Sequence, residues 1–254
     1  MSIFDAIILA IIEGFTEFLP ISSTGHMIVV ADFLGLEQDS ATKAYEVIIQ
    51  LSAIMAILIH FKDKIHIKKF ELWLKMFVAF LPLAIVGFIF KDAIKELFSV
   101  QIVAVMFIVG GVAFLILEKF YDESKAHITD FEQASFKQSL WIGIAQVFAL
   151  IPGTSRAGAT IVGGLLVGLS RKASAEFSFL LALPVMGAVS GYDILKHHEE
   201  FSGANLTPLL IGFVTSFIVA YYTIKLFRAF LEKFTFKAFG IYRIVFGIIL
   251  LYFV

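Results

Sequence analysis

Six apolar runs along the chain are long enough to cross a bilayer as helices, which takes about 20 residues. They cover 44–61, 70–90, 100–118, 174–195, 206–227 and 238–254. Two further apolar regions, 1–36 and 138–170, are each interrupted midway by polar and helix-breaking residues. The first breaks at Pro20, Ile21, Ser22, Ser23, Thr24 and Gly25, the second at Pro152, Gly153, Thr154, Ser155 and Arg156. Each half is too short to span, so both regions predict helix–loop–helix hairpins that enter the membrane and turn back.

The two breaks resemble each other. "LPISSTGHMIVV" (19–30) aligns with "IPGTSRAGATIV" (151–162) at an offset of 132, matching Pro with Pro, Ser22 with Thr154 and Ser23 with Ser155. Glu46 falls against Glu176 at nearly the same offset, and three spanning runs follow each hairpin. The expected architecture is an all-α polytopic membrane protein made of one domain over 1–254. Repeat one covers about 1–120 and repeat two about 138–254. Three crossings per copy would start the second copy on the opposite side, giving an inverted-topology repeat with its broken helices near the midplane.

Composition agrees with a membrane protein. The chain is 59% hydrophobic and 16% charged, against about 45–50% and about 25% in soluble domains. The absence of cysteine excludes disulfides, thiolate ligands and a cysteine nucleophile. A net charge of −1 gives no argument for nucleic acid, and none is expected as a partner. The N-terminus lacks the basic start of a signal peptide and runs into Glu13.

Segments 62–69, 119–137, 171–172 and 225–237 share one side in this topology and carry thirteen Lys or Arg. The other side has four: Lys43, Lys91, Lys95 and Lys196. The positive-inside rule then puts both termini outside, with the first hairpin opening outward and the second inward.

The breaks hold the candidate chemistry. Glu13 and Glu17, four residues apart, stack on one helix face. Pro20 ends that helix, and Ser22, Ser23 and Thr24 suit the N-cap of the next. The second break offers Thr154 and Ser155 as caps and Arg156 in the first turn. Two helix N-termini meeting in a membrane make an anion site, and the planar fork of Arg156 suits phosphate. Ionisable residues at such depth are usually functional; the bland alternative is a buried Glu–Arg pair joining the hairpins. Glu46, Gln50 and Glu176 are supporting or interhelical polar contacts.

"EGFTEFLPISSTGH" (13–26) and "PGTSRAGAT" (152–160) resemble the BacA/UppP family of undecaprenyl-diphosphate phosphatases, over essentially the whole chain. The family's E-x-x-x-E pattern falls on Glu13 and Glu17, its Ser-Thr-Gly-His on Ser23, Thr24 and His26, and its P-G-x-S-R on Pro152, Gly153, Ser155 and Arg156. Ala157 stands where the family often has Ser. The resemblance implies hydrolysis of undecaprenyl diphosphate at the bacterial inner membrane, reduced sensitivity to bacitracin and a divalent cation, Mg²⁺ or Ca²⁺. Glu13 and Glu17 would hold the cation between themselves and the diphosphate. Ser22, Thr24, Gly153, Thr154, Ser155 and Arg156 would bind substrate. Ser23 is the nucleophile of choice with His26 as its base; direct attack by His26 and a metal-activated water are the alternatives. A different class, a polyprenyl-phosphate flippase, would need the Arg156 clamp but no nucleophile. A homodimer is compatible with all of these readings.

Overall fold

The computed structural model describes residues 1–37, 39–66, 68–196 and 206–253, with the Lys196 side chain outside the description. The expected placement of Lys196 and the last residue of the sixth run, Val254, therefore lie outside the described residues. All regular elements among the described residues are helical, with one isolated bridge between Ile128 and Leu169. The α-helices are α1 Ile3–Thr16, α2 Ser23–Phe33, α3 Ser40–His60, α4 Phe70–Ile89, α5 Lys91–Glu96, α6 Val100–Phe120, α7 Phe136–Gln146, α8 Arg156–Leu166, α9 Arg171–Lys196, α10 Leu206–Leu231 and α11 Lys237–Phe253.

Five of them, α3, α4, α6, α9 and α10, are long and apolar enough to cross a membrane. The sixth run forms α11, whose 17 residues sit at the lower end of the spanning range. Both interrupted regions are broken where Pro and the hydroxyl residues stand. The 14 residues of α1 and 11 of α2 rise only about 21 and 16 Å at 1.5 Å per residue, short of a bilayer core. Large apolar side chains such as Phe4, Phe33, Phe88 and Phe120 face outward and exposed, a surface that lipid rather than water must cover.

The hairpins are exchanged between the halves. Helix α1 packs along α10, and α7 packs along α4. Close approach needs glycine at both seams, because a Cβ on Gly14 would meet the Ser216 carbonyl and one on Gly143 the Ala79 backbone. Helix α6 lies along α11, and α3 packs against both α9 and α10.

One end of the bundle is tied by ion pairs. Lys64 and Lys69 pair with Glu132, Arg171 with Glu118 and Glu123, and Lys172 with Glu232. These contacts join the four basic segments that the charge pattern assigned to one side.

The order of hairpin and long helices recurs in the two halves, but the register differs from the sequence alignment. Helices α2 and α8 have 11 residues each and begin at Ser23 and Arg156, an offset of 133. Ser22 therefore corresponds to Ser155, and Ser23 to Arg156. The alignment at 132 is one residue out, because it matched the prolines, whereas the fold matches the capping serines.

Candidate active site

The two breaks are built alike and meet. Ser22 and Ser155 both sit in the left-handed region, with φ of 70° and 76°. Each caps its helix, Ser22 Oγ accepting from the Gly25 N–H at 3.4 Å and Ser155 Oγ from the Gly158 N–H at 3.0 Å. Side chains with a Cβ occupy that region at a cost, so surrounding contacts must hold both residues there.

Arg243 of α11 is the principal clamp. Its side chain is fully buried and donates to the carbonyls of Pro20 (3.0 Å), Gly153 (2.9 Å) and Thr154 (2.8 Å), and to Met106 and Phe107 of α6. One guanidinium therefore ties the first break, the second break and a spanning helix together, using all its donors on backbone oxygens. Gly153, at φ 89°, lets the second turn approach Val103 of α6.

Within this frame three expected residues meet. Ser23 Oγ donates to Glu17 Oε2 at 2.5 Å, and Arg156 donates to Glu17 Oε1 at 2.8 Å. Arg156 is braced from behind by the Ser178 carbonyl at 2.8 Å, and Ser178 Oγ accepts from Thr160 Oγ1. Glu17 and Ser23 are almost wholly buried. A cavity of about 100 Å³ opens beside them, lined by Ser22, Thr24, Gly153, Ser155 and Arg156 among others. A larger one, about 310 Å³, adjoins it through shared walls at Thr24, Gln50 and Phe98.

His26, expected as the base of Ser23, makes its hydrogen bonds elsewhere. Its Nδ1 donates to the Ser22 carbonyl at 2.7 Å, a group that can only accept, and its Nε2 takes the Tyr242 hydroxyl at 2.6 Å. The ring is stacked on Phe246, with centroids 4.9 Å apart. The α2 helix turns His26 toward α11, and the group that accepts from the Ser23 hydroxyl is Glu17. Thr154 likewise offers its carbonyl to Arg243 and does not line the small cavity. Glu13 lies against Glu17 and in the field of Glu46, yet its Oε1 has no hydrogen-bond partner among the described residues. A buried carboxylate oxygen without a donor, in a cavity with a second carboxylate, fits a hard cation.

Sequence reasoning missed Arg243, Tyr242 and Ser178. Arg243 left a signal, a lone charge within an apolar run. The other two left none.

The fold and site define a polytopic membrane protein with a serine, a carboxylate and an arginine gathered at the meeting of two broken helices. The bacitracin resistance protein BacA family model matches residues 6–249, and the chain belongs to that family. It is 70% identical to a protein of Sulfurimonas denitrificans named undecaprenyl-diphosphatase, over 100% of this chain and 99% of the relative. A Methanococcus aeolicus protein of the same name is 52% identical over 100% and 99%. One from Campylobacter jejuni is 48% identical over 97% and 92%.

Proposed function

We propose that Ser23 is the nucleophile of an undecaprenyl-diphosphate phosphatase, with Glu17 as its base and Arg156 as its phosphoryl clamp. The chain hydrolyses undecaprenyl diphosphate to undecaprenyl phosphate and phosphate, the activity for which its relatives are named. The supporting observation is the relay Ser23–Glu17–Arg156, in which the hydroxyl proton already points at a carboxylate oxygen 2.5 Å away.

Glu17 accepts that proton as Ser23 Oγ attacks the terminal phosphorus, and the bond to the bridging oxygen breaks, releasing undecaprenyl phosphate. Arg156 and the N-terminal amides of α2 and α8 face the equatorial oxygens as charge shifts. Glu17 passes that proton to the departing undecaprenyl phosphate, then takes one from the water that cleaves the phosphoserine and returns it to Ser23 Oγ. His26 holds the Ser22 carbonyl, and hence the turn that presents Ser23. Glu13 would hold a divalent cation, Mg²⁺ or Ca²⁺, which when bound would neutralise charge on the diphosphate. The site belongs in this reading to the cytoplasmic membrane, opening to its outer face, with the hairpins related as an inverted repeat. Release of lipid carrier there would lower the pool that bacitracin sequesters.

Rapid quenching of turnover on a prenyl diphosphate is expected to trap an acid-stable phosphate on Ser23, and none in Ser23→Ala. An acid-labile adduct on His26 would transfer the nucleophile's role to that ring. Absence of any adduct would favour direct attack by water.

A further inference from the structure

Glu13 is the carboxylate that phosphoryl transfer leaves over. Both oxygens of Glu17 are committed, Oε2 to Ser23 and Oε1 to Arg156, so a metal bond to Glu17 would have to displace one of them. Glu13 is 3% exposed, and its Oε1 has no partner among the described residues. It lines the larger cavity, whose wall also carries Glu46, Gln50, Asp193 and Lys43. Glu46 and Gln50 stand four residues apart on α3, one turn and one face. Three carboxyl groups and an amide oxygen against a single lysine make that wall rich in oxygen donors, the ligand type of a hard dication.

We infer that the divalent cation sits in this outer cavity between Glu13 and Glu46, with the Gln50 amide oxygen beside it, and not between Glu13 and Glu17. The donor set is two carboxylates and an amide oxygen, leaving positions for water and for substrate oxygens, as small hard cations require. Glu17 is then free to act as a base without a metal lowering its basicity. The cavities share Thr24 and Gln50, so a diphosphate can lie across both, its terminal phosphorus at Ser23 and its other phosphate toward the cation. This inference rests on the phosphatase reading for the cation's role, but its test does not.

Mn²⁺ binding to the purified full-length protein in detergent, without substrate, can be followed by electron paramagnetic resonance. Glu13→Gln and Glu46→Gln are expected to weaken Mn²⁺ binding at least about tenfold, and Glu17→Gln to leave it within about threefold while abolishing turnover. Gln50→Glu adds a carboxylate and is expected to tighten binding, a gain that misfolding cannot imitate. Loss of Mn²⁺ in Glu17→Gln with retention in Glu46→Gln would overturn the site. So would a wild-type protein that binds no Mn²⁺ and turns over fully in chelator, although the phosphatase reading would survive. A wild-type protein inactive with every cation would strike the phosphatase reading, and the Mn²⁺ titration would still judge the site.

Discussion

The two broken hairpins share a frame and differ in what they carry. Each has a left-handed serine cap followed by an 11-residue helix. Each is preceded by a helix with a serine capping box, at Ser2 and at Ser135. The first helical residue is Ser23 in one and Arg156 in the other, so in the proposed mechanism equivalent positions supply the attacking oxygen and the fixed positive charge. Farther back, Glu13 corresponds to Gln146 at the same offset of 133, and Gln146 packs against the Ala79 carbonyl. One scaffold would then serve two tasks, the first copy holding the proposed acid–base chemistry and the second holding charge. A paired frame can specialise because its backbone is fixed by contacts outside the reacting groups.

The sharpest way to break this comparison is to exchange the first helical residues. Ser23→Ala is expected to abolish phosphate release, and Arg156→Lys to lower kcat by at least about 10²-fold, since an ammonium cannot fork across two oxygens. Comparable activity in either variant would remove the division of labour. Next comes Glu17→Gln, expected to cost at least about 10²-fold in kcat and also some stability. The ion pair with Glu17 means Arg156 is left stranded, and breaking a buried pair costs about 3–5 kcal/mol. A thermal melt in detergent measures the second part.

Arg243→Met tests the shared clamp. It leaves carbonyls at both breaks without their donor, at about 1–3 kcal/mol for each unsatisfied group. A lowered melting temperature is expected, together with a fall in kcat per folded molecule. Gly110→Ala leaves Arg243 in place but sets a methyl where its guanidinium lies, and should act in the same direction. Smaller still are the caps: Ser22→Ala and Ser155→Ala are each expected to cost about 1 kcal/mol. Clearly unequal losses would show that the two frames are not held alike. Smallest is Gln146→Met, which removes a buried oxygen that has no partner among the described residues and should leave turnover intact.

Both breaks were legible in the sequence because helix breakers and hydroxyls interrupt otherwise apolar runs. The register between them was not. Pro20 stands two residues before its capping serine and Pro152 three before its own, so an alignment anchored on proline slips by one. A buried Glu–Arg pair was expected only as the bland alternative, and Ser23, the third member of the group that Glu17 forms with Arg156, was assigned to His26 instead. Nothing local reveals that His26 turns to Tyr242, which lies 216 residues away. Arg243 showed as a lone charge in an apolar run, but its role as a clamp did not. Its partners are backbone carbonyls, and carbonyls have no sequence signature.

The exchange of hairpins between the halves has a consequence for biogenesis. The seam that receives α1 is α10, and about 190 residues of chain separate the end of one from the start of the other. At roughly 5–20 residues per second of synthesis, that is a wait of about 10–40 s. Throughout that interval Glu13 and Glu17 lack α10, and for about the first 140 residues of it they lack Arg156 as well. Helix α1 is thus made long before the seam that receives it, and its carboxylates must stay near water or an insertase until the second half arrives. A ribosome stalled before residue 206 should hold α1 accessible to an impermeant label, and one stalled after α10 has emerged should not.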